Sequence, residues 1–203
     1  MYQLLNMANK SIEELFSLLD NLLKWTKSQT GRLNMVYQSS DMVPIVSEVV
    51  DMFIKMAELK QINLHVEASG SCDVYVDRDM IKSVLRNLLS NALKFTRENG
   101  TVTIRIASSV PEEGGKCVVS IQDNGCGMSE DAQKKLLKIE THFSTFGTNN
   151  EEGSGLGLLL CQDFVEKNGG RIWFESKEGE GTIFFFSVPK KQLLQPEENL
   201  LIN

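Results

Sequence analysis

Histidine is the scarcest functional residue of this chain: His65 and His142 are the only two in 203 residues, which limits any imidazole chemistry the chain can perform by itself. Four cysteines, Cys72, Cys117, Cys126 and Cys161, include no C-x-x-C pair. They read as separate reduced thiols of a cytosolic compartment, and exclude a disulfide framework or a zinc site. No run approaches the roughly 18 apolar residues of a membrane span. No charged stretch followed by an apolar core and a small-residue cleavage site opens the chain, so nothing marks it for secretion. Positive charge is in deficit: 21 Lys and Arg against 27 Asp and Glu leave a net charge of −6. Nucleic-acid binders usually carry a basic surface, so no nucleic-acid partner is expected. With only 4 prolines, 41% hydrophobic and 24% charged residues, the composition is that of a globular protein with one core-forming domain plus an appendage.

The appendage comes first. Leu5, Ala8, Ile12, Leu15, Leu19 and Leu22 are spaced by alternating threes and fours, a heptad seam widened by Leu4, Phe16, Leu18, Leu23 and Trp25. A helix this apolar calls for more than one neighbour, as in a four-helix bundle. It starts at Met1 without a capping residue, and the expectation is a chain cut within or just before a longer helical region. Gly31 ends it, and 32–40 reads as a linker holding at most one edge strand. Asp41 then caps a helix whose apolar stripe is Val43, Val46, Val50, Phe53, Ile54 and Ala57, with Pro44 tolerated in the first turn. Strands are expected over 62–67, 74–76, 101–107, 117–122, 171–175 and 182–188, and helices over 78–96, 130–139 and 156–167. Helices and paired strands mix in an α+β order. The expected organisation is a partial helix over 1–31, a linker over 32–40, one domain over 41–189, and a tail over 190–203.

In the helix over 78–96, Ile81, Val84, Leu85, Leu88 and Ala92 share one face. Asn87, Asn91 and Lys94, spaced by four and three, line up on another. Two carboxamides and an ammonium in a row suit a magnesium triphosphate: an amide oxygen can ligate Mg²⁺ beside phosphate oxygens and water, and Lys94 brings a point charge to the phosphates. Taken alone, the same face is an ordinary solvated one.

Three glycine clusters follow. Asp123-Asn124-Gly125-Cys126-Gly127-Met128 comes after a strand, Gly153-Ser154-Gly155-Leu156-Gly157-Leu158 precedes a helix, and Gly179-Glu180-Gly181-Thr182 lies between the last strands. Glycine allows close backbone approach and positive φ. The second cluster offers free amides at a helix start, where anions bind, but no Gly-Lys-Ser/Thr follows and no strand precedes, so it is neither a Walker A loop nor a dinucleotide fingerprint. Asp123 is a carboxylate at a strand end that can accept from an exocyclic amine such as that of adenine. Separately, the first and third clusters are ordinary turns. Their order is the signal.

Asn-x-x-x-Asn-x-x-Lys-Phe, Asp-x-Gly-x-Gly, Gly-x-Gly-x-Gly and Gly-x-Gly-Thr, in that order, resemble the N, G1, G2 and G3 boxes of the histidine kinase catalytic domain, a member of the ATPase/kinase group that includes gyrase, Hsp90 and MutL. The resemblance covers about 41–189. It implies a two-layer α/β sandwich of the Bergerat type, here preceded by a long N-terminal helix, with ATP held between helices and a mixed sheet. By position, the resemblance makes Asn91 the Mg²⁺ ligand, with Asn87 and Lys94 near the phosphates. Phe95 would line the adenine pocket and Asp123 would receive the amino group, with Gly125, Gly127 and Met128 beside the base. Gly153, Ser154, Gly155, Leu156, Gly157 and Leu158 would wrap the triphosphate, and Thr182 would sit behind the adenine. Residues 128–154 look like the ATP lid, with Phe143 and Phe146 where the family places its F box. The N-terminal helix resembles the second helix of the dimerisation hairpin. The first helix, with its phospho-accepting histidine, is missing, and neither His65 nor His142 has that histidine's setting.

The ATP-hydrolysing relatives typically begin the N box with a glutamate that activates water; a carboxamide such as Asn87 cannot serve as that base. The expectation is therefore a kinase that aligns ATP for in-line transfer and leaves the nucleophile to another group. The competing readings are a hydrolysing or purely nucleotide-binding switch, or a serine kinase of the same fold. The resemblance also implies a homodimer in the intact protein, a histidine-bearing helix and a response-regulator receiver domain as partners, and a cytosolic location as part of a membrane sensor.

Overall fold

The computed structural model describes residues 34–108, 115–136 and 157–190, together with Leu19, Leu23 and Thr26 as single helical positions. The remainder of the expected N-terminal helix and the tail over 191–203 lie outside the described residues. In chain order the elements are β1 (Tyr37–Asp41), α1 (Met42–Leu59), β2 (Asn63–Ala68), β3 (Asp73–Asp77), α2 (Arg78–Phe95), β4 (Thr101–Ser108), β5 (Lys116–Asp123), α3 (Glu130–Leu136), α4 (Gly157–Lys167), β6 (Arg171–Lys177) and β7 (Gly181–Pro189).

Five strands form one mixed sheet in the order β2-β4-β5-β7-β6, in which only β2 and β4 run parallel. Strand side chains alternate between faces. Val102, Ile104 and Ile106, then Cys117, Val119 and Ile121, then Phe184, Phe186 and Val188 all point one way, into a core shared with α1, α2 and α4. This is the expected two-layer sandwich. The opposite face carries Thr103, Arg105, Ser120 and Gln122, and beside them the stacked pair Trp173 and Phe185.

The helices start where side-chain oxygens can take orphan amides. Asp41 accepts from Val43 N at 3.1 Å and opens α1, and Asp77 accepts from Asp79 N and Met80 N at 3.1 and 3.0 Å and opens α2. The α2 stripe is as expected: Ile81, Val84, Leu85, Leu88 and Ala92 are all buried. Truncating a central member, as in Leu88→Ala, costs about 2–5 kcal/mol in such a setting. The α1 stripe is displaced from expectation. Met42, Ile45, Val46, Val49 and Ala57 are buried while Ile54 is 42% exposed. A helix apolar on most sides has no single face until its neighbours choose one, and the packing of α1 on α2 and β2 chooses this one. Glu48 bridges Arg78 and Lys82, tying α1 to α2.

A second, two-stranded sheet pairs β1 with β3. Within it, Val36 N donates to Asp77 Oδ2 (2.8 Å) and Tyr37 stacks on Tyr75; the Tyr37 hydroxyl donating to Lys167 O and Asp77 N donating to Asn168 Oδ1, both at 2.7 Å, fasten it to the body. The cysteine reading needs correction. Cys72 and Cys117 are joined as a disulfide, with Cα atoms 6.2 Å apart across a separation of 45 residues, while Cys126 and Cys161 are free. Wide sequence spacing hid the pair because the β2–β3 loop folds back over the start of β5. Among the described residues no helix is long and apolar enough to cross a membrane.

Candidate functional site

Helix α2 carries one end of the site. Asn87, Asn91 and Lys94 are half-buried on one face, as their spacing requires. The Asn87 amide is held by its own helix, Nδ2 donating to Ser83 O at 3.1 Å, so its Oδ1 points outward. It points at the start of α4: a Cβ on Gly157 would lie 2.8 Å from Asn87 Oδ1. Glycine at 157 therefore lets the α4 amides approach the carboxamide row. Leu158 is half-buried and packs on the core, so its side chain supports the turn. Among the described residues nothing hydrogen-bonds the Asn91 carboxamide. The Lys94 ammonium lies 5.1 Å from the centre of the Phe95 ring.

Eight residues on, about 12 Å along the helix axis, α2 ends against the Asp123–Gly127 loop. Cys126 N donates to Phe95 O at 3.2 Å, and a Cβ on Gly125 would fall 2.3 Å from that same carbonyl. Gly127 has φ +61°, and a Cβ there would meet Lys177 O at 1.9 Å. Both glycines are thus required by the surrounding backbone. The loop is closed from the other side by Gly179 N donating to Cys126 O at 2.7 Å. Met128 packs on the core, and its carbonyl and that of Ser176 both accept from Gln133 Nε2 of α3, at 2.9 and 3.0 Å.

Asp123 sits in the middle of this second end, buried at the tip of β5. Its Oδ1 accepts from Gly125 N at 2.9 Å and Thr182 N at 3.2 Å, which leaves Oδ2 for a ligand. Burial pushes the carboxyl up to about 6, against the opposing pull of those two amide bonds. Thr182 lies directly across the ladder from Asp123 and is buried beside it.

The structure therefore brings Asn87 together with Gly157, and Phe95, Gly125, Gly127, Asp123 and Thr182 into one interlocked cluster, with α2 joining the two ends. Phe143, Phe146, His142, Gly153, Ser154, Gly155 and Leu156 lie outside the described residues. His65 is an exposed position of the edge strand β2. Sequence reasoning missed Ser176, Gln133 and Asn124, whose Oδ1 accepts from Thr101 N at 2.7 Å and steadies the loop. Ser176 could have been found by pairing the two strands around the Gly179–Gly181 turn, which places it opposite Thr182.

A helix bearing a carboxamide row, a buried strand-end carboxylate and glycine-hinged loops around them define a nucleotide-binding domain of the class found in kinases and ATPases that lack a Walker loop. The chain belongs to the family of histidine kinase-, DNA gyrase B- and HSP90-like ATPases, whose profile matches residues 76–192. Within that family it carries the ATP-binding catalytic domain of a histidine kinase. It is 30% identical over 188 residues to the adaptive-response sensory kinase SasA of Rippkaea orientalis, covering 92% of this chain and 47% of that protein. It superposes on the catalytic domain of histidine kinase ThkA with a TM-score of 0.65 at 31% identity, covering 77% of this chain and 97% of the other. It is also similar to ThkA in complex with the response regulator protein TrrA, with a TM-score of 0.71 at 25% identity, covering 91% and 50%. The chain spans about half the length of the curated relatives it matches first.

Proposed function

We propose that this domain holds Mg²⁺-ATP and transfers its γ-phosphoryl group to a histidine on a separate helix of the parent kinase. The observation that carries the reading is Asn87. At the position where the hydrolysing relatives carry a water-activating glutamate, this chain has a carboxamide whose Nδ2 is committed to Ser83 O and whose Oδ1 meets the start of α4. Such a group can orient but cannot take a proton. Catalysis is then alignment and charge neutralisation: α2 and the G2 turn hold the phosphates, Lys94 offsets their charge, and the nucleophile arrives from outside.

The donor set suits magnesium. Among the described residues no group of three His, Cys, Asp or Glu could hold a metal, so a cation here would take the free Asn91 amide oxygen, phosphate oxygens and water, which is how Mg²⁺ is usually held. Bound there, it would neutralise charge on the phosphates. At the other end, Asp123 Oδ2 would accept from the adenine amino group, with Phe95, Gly125 and Gly127 shaping the base pocket. Gly153, Ser154, Gly155, Leu156, Gly157 and Leu158 would wrap the triphosphate, and Phe146 would help hold the lid. A receiver domain is the proposed acceptor from the phosphohistidine, supported by the ThkA–TrrA complex, and the heptad seam supports a homodimer in the intact kinase.

The test uses γ-labelled ATP. The chain alone stays unlabelled, and acid-labile label appears on an added histidine-bearing helical hairpin only with chain and Mg²⁺ present. Rapid phosphate release without the hairpin, and no label on it, would establish the hydrolysing reading instead.

A further inference from the structure

Three side chains stand side by side across the middle of the site's base end. Register places Asp123 on β5 opposite Thr182 on β7, and Thr182 opposite Ser176 on β6, all on the sheet face that meets the helices. Asp123 and Thr182 are buried, and Ser176 is half-buried. Ser176 makes two contacts with the facing strand: its Oγ donates to Gly181 O at 3.1 Å, and lies 2.9 Å from Thr182 Oγ1.

Proton counting settles the direction of the second contact. A serine hydroxyl has one proton, and a carbonyl can only accept. Both bonds can be made together in only one way: Ser176 gives its proton to Gly181 O, and Thr182 gives its proton to Ser176. The Thr182 hydroxyl then offers only lone pairs to a ligand. Its neighbour Asp123, ionised, carries no proton and is also an acceptor, and with Oδ1 taken by Gly125 N and Thr182 N it presents Oδ2. The wall formed by the two is acceptor throughout.

We propose that Ser176 is a positioning residue for base selection, which locks the Thr182 hydroxyl as an acceptor so that the site takes an exocyclic amine and rejects a carbonyl oxygen at the same place. Adenine presents an amine there and guanine presents O6. A site whose buried acceptors face another acceptor leaves them unpaired, and that penalty, more than any attractive contact, makes such discrimination strong. Without Ser176 the Thr182 hydroxyl is free to turn and donate to O6. The inference rests on the reading of Asp123 as the base-binding carboxylate.

The experiment measures ATP and GTP affinities side by side, with Mg²⁺, for the unmodified chain, Ser176→Ala and Ser176→Thr, with a melting curve for each. The unmodified chain prefers ATP. In Ser176→Ala the GTP-to-ATP ratio of dissociation constants falls about tenfold, the value of one net hydrogen bond, and Ser176→Thr restores it. An unchanged ratio in Ser176→Ala overturns the proposal, including the case where both affinities and the melting temperature fall together, because Ser176 would then serve only the hairpin. A different result defeats the underlying reading: an unmodified chain that binds ATP and GTP equally, or in which Asp123→Asn leaves the ratio untouched, removes Asp123 from base recognition and the Ser176 role with it.

Discussion

The two ends of the site are built on opposite plans. At the base end nearly every polar atom is already engaged: Asp123 Oδ1 holds two amides, Ser176 holds Thr182, and the loop backbone is bonded to Phe95 on one side and Gly179 on the other. At the phosphate end the side chains stand in a row on a single helix, and the Asn91 amide has no hydrogen bond among the described residues. On the proposed reading, the base end would select by what is already committed, and the phosphate end would bind by what is left open. The first is inseparable from the fold; the second is added to a helix that would form without it.

The largest break in this contrast should come from Gly127→Ala. Its Cβ would press on the Lys177 carbonyl at a φ that side chains rarely adopt, and we expect a loss of about 3 kcal/mol or more. Stability and ATP binding should fall together in melting and titration experiments. Gly179→Ala, also at positive φ but with nothing within 4 Å, should cost only about 1 kcal/mol. If the two variants melt alike, close backbone packing is not what glycine supplies at 127.

At the phosphate end, Asn91→Ala should separate binding from folding. Mg²⁺-dependent ATP affinity should drop about a hundredfold, or roughly 2.7 kcal/mol, with the melting temperature unchanged. Equal nucleotide affinity with and without Mg²⁺ in the unmodified chain would remove Asn91 from metal binding.

A smaller effect should distinguish Asp123 as a titrating group. Its carboxyl is raised from 3.8 to about 6 by burial, so the folded state binds this proton more tightly than the unfolded chain. The sign follows: protonated Asp123 costs nothing below about pH 4, and the ionised form costs stability increasingly up to pH 6 and fully above it. Asp123→Asn keeps the Oδ1 acceptor and removes that cost, so its melting temperature should gain on the unmodified chain as pH rises through 6. Its ATP affinity should be about tenfold weaker at pH 8, and the gap should close below pH 6, where the parent carboxyl is also neutral. A pH-independent gap would show that charge on Asp123 plays no part.

The strands, the Asp41 cap and the turns at Gly127 and Gly179 were readable because each rests on local rules: period two, an Asp before an apolar run, glycines at turns. The α2 stripe was readable for the same reason, since polar Asn87, Asn91 and Lys94 left its apolar face unambiguous. What escaped were the consequences of long-range packing. Ile54 and Ile45 stand on opposite faces of α1, about half a turn apart, and only the neighbours of α1 decide which is buried. The Cys72–Cys117 pair depends on a loop folding back on a distant strand. Ser176 is an unremarkable serine until β6 is laid against β7. The glycines of the first cluster were expected to make room for a base, and their immediate reason is to make room for two backbone carbonyls.

The Asp123–Thr182 pairing also has a consequence for assembly. The partners are 59 residues apart, whereas the β4–β5 and β6–β7 hairpins close over short connections. Hairpins form early, and their joining must await the loop-closure entropy of the long connection. The edge proposed to read adenine therefore exists only once the two halves of the sheet have docked. A ligand held there stabilises the completed molecule alone, by an amount that grows with the logarithm of its concentration, so saturating nucleotide should act as a folding clamp for a weakened sheet.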